Sequence, residues 1–106
     1  MRRYAANRDR GEADIVVALR KAGARVLPMS FDTRAGVPDL LVAFRGRLLM
    51  LEVKDEIGAK GGTSRDGQQL SRAQVEFHRE WQPHCDVVRS PIEALQAIGA
   101  VKIEEG

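Results

Sequence analysis

A chain of 106 residues, 43% apolar and 30% charged, has room for one hydrophobic core and the composition of a soluble globular domain. Its 17 Lys and Arg against 15 Asp and Glu leave a net charge of +2, a balance that permits a polyanionic partner without requiring one. The single cysteine, Cys85, excludes an intramolecular disulfide and a cysteine-built zinc site, and it fits a reducing, cytoplasmic setting.

Residues 1–9 begin a basic stretch, MRRYAANRDRGEAD, that reads as a flexible arm and lacks the apolar run of a secretory signal. No apolar run in the chain approaches the ~18 residues of a membrane span. Ile15, Val16, Leu19 and Ala22 recur at helical spacing and predict a helix from about Arg10 to Ala22, with Gly23 as its stop. ARVLPMS follows as a short strand that Pro28 either ends or marks as an edge, and FDTRAG reads as a loop. Two apolar runs, Asp39–Phe44 and Leu48–Lys54, flank Arg45-Gly46-Arg47 and predict a β-hairpin buried on both faces. Residues 56–70, glycine-rich and charged, read as a mobile loop. A second helix begins near Ser71, with Leu70, Ala73, Phe77 and Trp81 on one apolar stripe, Trp81 as core, and Pro83 as its close. CDVVRS is a fourth strand, and Pro91 opens a last helix, PIEALQAIG. The order α-β-β-β-α-β-α predicts one α/β domain spanning 1–106, a mixed central sheet flanked by helices on both faces.

The hairpin carries an acid at its entry and an acid–lysine pair at its exit. If the turn is the pair Arg45-Gly46, Phe44 faces Arg47 and Asp39 falls directly opposite Glu52, with Cβ atoms roughly 4.5–5.5 Å apart. Lys54 then shares their face, while Leu40, Val42, Phe44, Leu49, Leu51 and Val53 form an apolar face that must be covered. A three-residue loop with a bulge would instead place the two acids diagonally. Like charges so placed are destabilising unless neutralised. Mg²⁺ does this with one or two carboxylates and retained waters, and a lysine beside it can orient or deprotonate an attacking water. The plainer alternative is a strand end in solvent, where acids and lysines alternate harmlessly.

Two more polar residues bear on that choice. Glu12 precedes Ile15, Val16 and Leu19 by three, four and seven, which puts an acid on the buried stripe of the first helix. It is either part of a site or a helix N-terminal acid favoured by the dipole. Gln74 lies on the stripe of the second helix, where SRAQ also fits a capping box with Ser71 as N-cap. Both roles can hold together. His78 and His84 tempt as ligands or bases, although a helical histidine beside an aromatic is more often packing. Lys60, Arg65 and Arg72 are candidate DNA phosphate contacts or simply solvated loop charges.

GVPDLLVAFRGRLLMLEVK, with its Pro-Asp, apolar hairpin and Glu-X-Lys, resembles the core of the PD-(D/E)XK nuclease superfamily. LSRAQ after the loop narrows the resemblance to the VRR-NUC group, the virus-type replication and repair nucleases, over most of the chain from Glu12 to CDVVRS. The resemblance implies a restriction-endonuclease-like fold and a Mg²⁺- or Mn²⁺-dependent DNA endonuclease. It further implies that Asp39, Glu52 and the Val53 backbone carbonyl hold the metal. Glu12 would bind the metal directly or through water, Lys54 would serve the nucleophilic water, and Gln74 would position the lysine or water. Small stand-alone members resemble phage enzymes of DNA repair that act as homodimers on branched DNA such as Holliday junctions. Where members often have a second basic residue, this chain has Arg89 alone. A restriction-type or flap nuclease fits the same residues. A catalytically silent DNA-binding or assembly subunit fits less well, since it has little physical reason to bury unpaired acids. For a dimer, Ile98, Val101 and Ile103 offer a candidate apolar surface, or else they complete the core of the monomer.

Overall fold

Leu40, Val42, Phe44, Leu49, Leu51 and Val53 are all buried beneath two helices, as the alternation along the hairpin predicts. The computed structural model that shows this describes residues 10–30, 32, 34–55 and 69–102. In chain order the elements are helix α1 (Arg10–Lys21), strands β1 (Arg25–Pro28), β2 (Leu40–Phe44) and β3 (Arg47–Val53), helix α2 (Arg72–Trp81), strand β4 (Cys85–Val88) and helix α3 (Pro91–Ile98). The predicted arm (1–9) and most of the predicted loop (56–70) lie outside the described residues.

The four strands form one sheet in the order β1-β2-β3-β4. β2 pairs antiparallel with both β1 and β3, whereas β3 and β4 run parallel. Pro28 both ends its strand and lies on an edge, where its missing N–H costs no ladder bond. The β2–β3 turn has two residues, Arg45 at φ 48° and Gly46 at φ 81°, the pair of positive φ values that matches the twist of a hairpin. This fixes Phe44 opposite Arg47 and Leu40 opposite Leu51.

α1 buries Ile15 and Leu19 completely and stops at Gly23, whose φ of 102° few other residues tolerate. α3 starts at Ser90, whose hydroxyl accepts from the Glu93 N–H at 3.2 Å, and it ends at Gly99 in the left-handed region. Both helices pack on the same face of the sheet, where Ile15, Leu19, Ala94 and Ile98 meet the hairpin residues. Ile98 is therefore core, at 3% exposure, and not the dimer surface offered as one reading of the tail. Val101 is half-buried, and Ile103 lies outside the described residues.

α2 lies across the other face and covers it incompletely. Leu48 is 58% exposed and Leu41 and Met50 are half-buried, so the hairpin is fully buried on one face only. Trp81 is also not core. It is 47% exposed and stacks on Phe77 with ring centroids 5.4 Å apart. The buried residue of α2 is His78, one turn after Gln74. Gln74 bonds to the sheet and His78 is buried one turn on, whereas Trp81, the last residue of the helix, lines an open groove with Leu41, Leu48 and Met50.

Candidate active site

One step beyond the Leu40–Leu51 pair, the hairpin ladder brings Asp39 and Glu52 together on the α2 face, as the two-residue turn requires. Asp39 is pinned rather than free: the Val53 N–H donates to its Oδ2 at 2.8 Å. Glu52 is 3% exposed, an acid inside the sheet. Its Oε2 accepts from Gln74 Nε2 at 3.0 Å and lies 3.8 Å from Lys54 Nζ. Its Oε1 is buried and has no hydrogen-bond partner among the described residues.

This environment disfavours the ionised form. Burial pushes the Glu52 carboxyl up to about 8; Asp39 adds to the shift by its charge and by a hydrogen bond that favours the protonated form, Lys54 works against it, and Glu12 adds a smaller push. Glu12 thus stands within electrostatic reach of the pair, from the first turn of α1. Among the described residues, no three His, Cys, Asp or Glu side chains gather closely enough to hold a metal by themselves.

Gln74 fills both of its roles at once. Its Oε1 accepts from the Ser71 N–H at 2.8 Å while the Ser71 hydroxyl accepts from the Gln74 N–H at 3.2 Å, a complete capping box. With Oε1 committed to the cap, Nε2 is the end that faces Glu52.

The remaining candidates sit elsewhere. His78 is buried near Cys85 and Asp86, beside a cavity of about 400 Å³, and burial lowers its pKa. His84 is exposed, and its backbone carbonyl accepts from the Met50 N–H at 2.8 Å. Arg72 is exposed and pairs loosely with Glu76 at 3.8 Å. Lys60 and Arg65 lie outside the described residues. Two contributors escaped the sequence reading. One is the Val53 N–H that holds Asp39, a backbone group without a residue signature. The other is Gly36, the glycine of GVPD, which lies against the first turn of α2.

No family model and no curated protein matches the chain. Among solved structures, the chain is similar to a VRR_NUC domain, with a TM-score of 0.60 and 26% identity over 84% of this chain and 90% of that one. A four-stranded mixed sheet with helices packed on it is consistent with this likeness, and the chain has the fold of a VRR-NUC domain.

Proposed function

We propose that this chain is a divalent-metal-dependent endonuclease that hydrolyses DNA phosphodiester bonds, with branched DNA such as a four-way junction as its substrate. The fold likeness supports a nuclease domain. The observation that carries the reading is the buried Glu52 carboxylate with one unpartnered oxygen, facing Asp39 and flanked by Lys54 and Gln74.

Those residues fit Mg²⁺ or Mn²⁺. Two carboxylates crowd one another, and one oxygen of Glu52 is left without a donor among the described residues. A hard cation meets both conditions, and Mg²⁺ needs no third side chain because it retains waters. Asp39, Glu52 and the Val53 carbonyl would hold it, with Glu12 near enough to contribute charge. When bound, the cation supplies positive charge at the scissile phosphate and acidifies water beside it.

The chain's own groups do the rest. The Val53 N–H holds Asp39, and Gln74 holds one oxygen of Glu52 so that the other stays directed and free. Lys54, 13% exposed at its side chain, is placed to orient a water and to offset charge building on the phosphate. Resolving a junction takes two symmetric cuts, so the working unit in this reading is a homodimer. Its candidate surface is the apolar groove of Leu41, Leu48, Met50, Trp81 and Pro83. A Leu48→Glu variant that remains dimeric in light scattering would remove that surface.

The test incubates the protein with labelled junction, flap, duplex and single-stranded DNA in Mg²⁺, Mn²⁺ or EDTA. Metal-dependent cutting with preference for the junction is expected. Cleavage in EDTA, or no cleavage with either metal, overturns the proposal.

A further inference from the structure

The loop that delivers Asp39 meets the helix that delivers Gln74 where Gly36 lies against Ala73. Gly36 has a φ of 90°, and a Cβ placed on it would lie 2.5 Å from the Ala73 carbonyl oxygen and 2.9 Å from its carbon. Both are backbone atoms, so neither can swing aside. Ala73 stands between the N-cap Ser71 and Gln74, in the first turn of α2. Gly36 stands three residues before Asp39, with the fully buried Pro38 between them.

A side chain at position 36 would therefore lift the first turn of α2 off the loop. The turn cannot move without carrying Gln74, because the capping box ties the Gln74 amide to Ser71. The 3.0 Å bond from Gln74 to Glu52 would lengthen, while Asp39 would keep its own anchor at the Val53 N–H. We propose that Gly36 is a positioning residue: its missing side chain sets how closely α2 approaches the acid pair, and so where the free oxygen of Glu52 points. This rests on the nuclease reading of the same site.

Backbone strain is the competing explanation, since a positive φ alone favours glycine. Gly23 separates the two. Its φ is 102°, yet a Cβ there would meet nothing within 4 Å among the described residues. Gly23→Ala thus imposes comparable strain without touching the site.

The experiment compares Gly36→Ala, Gly23→Ala and wild type by kcat and KM on junction DNA, and by the Gln74 side-chain amide signals in metal-free ¹⁵N NMR spectra. Gly36→Ala should lower kcat about 10- to 100-fold with KM little changed, and should shift the Gln74 amide signals. Gly23→Ala should do neither. Ala73→Val keeps the glycine and presses on the same contact from the helix side, so it decides the matter if Gly36→Ala does not fold. It should lower kcat and move the same signals. Unmoved Gln74 signals in Gly36→Ala, or in Ala73→Val where the first does not fold, overturn the proposal, as does a kcat equal to that of Gly23→Ala. Should the wild type cut no DNA with any metal, the nuclease reading falls and the amide signals alone decide whether the contact positions Gln74.

Discussion

Gln74 and Glu52 are joined by one hydrogen bond of 3.0 Å across the face of the sheet, and it leaves one oxygen of the acid satisfied and the other without a donor among the described residues. That asymmetry gives Glu52 a direction. It also separates what the acid pair does for the reaction from what it costs the fold.

Asp39→Ala and Glu52→Ala should each abolish cutting while DNA binding survives, since binding depends mainly on phosphate contacts from basic groups. Gel shifts and cleavage assays on the same preparations check this. Retention of wild-type rates by either variant removes that residue from the site.

Stability should depend on pH through Glu52. Its carboxyl is raised from 4.5 to about 8 in the folded protein, so the native state holds its proton more tightly than the unfolded chain does. The contribution is fully present below pH ~4.5 and is lost as pH rises through about 8, at a cost on the order of a few kcal/mol. Metal-free thermal melts should show Tm falling across that window. Glu52→Gln mimics the protonated form, so it should be nearly neutral at low pH, increasingly stabilising at high pH, and flatter in profile. A Glu52→Gln profile as steep as that of the wild type would reject this. Mg²⁺ should raise the wild-type Tm, because a ligand bound only by the folded state stabilises it.

Lys54→Ala should slow cleavage by orders of magnitude yet leave the metal-induced rise in Tm. The lysine stands 3.8 Å from Glu52, close enough to influence the acid without being its main support. If the metal no longer raises Tm in this variant, Lys54 serves metal binding rather than the attacking water.

Ser71→Ala and Gln74→Ala both break the capping box, at about 1 kcal/mol for the cap, and Gln74→Ala should cost more because it also takes a donor from the buried Glu52. Only Gln74→Ala also removes the bond to Glu52, so its loss of activity should be far larger. Equal activities would confine Gln74 to the cap.

The order of elements and the acid pair were legible because the relevant rules are local. Alternation fixes which hairpin residues share a face, and a two-residue turn with two positive φ values fixes the register. Ser71 and Gln74 were legible for the same reason, since a capping box is a pattern of four residues. Trp81 and Ile98 depend on tertiary packing that spacing does not contain. Trp81 shares the stripe of Gln74 but is the last residue of α2, where it lines an open groove beside Leu48 and Met50 and is left half exposed, while His78 is buried. The tail of α3 looked thinly covered in sequence, but α1 packs against it from the far end of the chain and buries Ile98. Gly36 could have been noticed as a glycine before a buried proline, but its neighbour Ala73 is remote in sequence.

The parallel pairing of β3 with β4 bears on how the protein comes to be folded during synthesis. The hairpin needs only a two-residue turn, whereas β4 joins β3 after a crossover running from Val53 to Cys85. The two acids therefore leave the ribosome before Gln74 and before β4, and an isolated hairpin is marginal even without repelling carboxylates. Consolidation of β3 should wait for the C-terminal half, so that no stable half-made site precedes the finished one. Pulse-labelled hydrogen exchange during refolding reads this directly. Amides of β3 should gain protection in the same phase as those of β4, and earlier protection of β3 would show that the hairpin tolerates its acids alone.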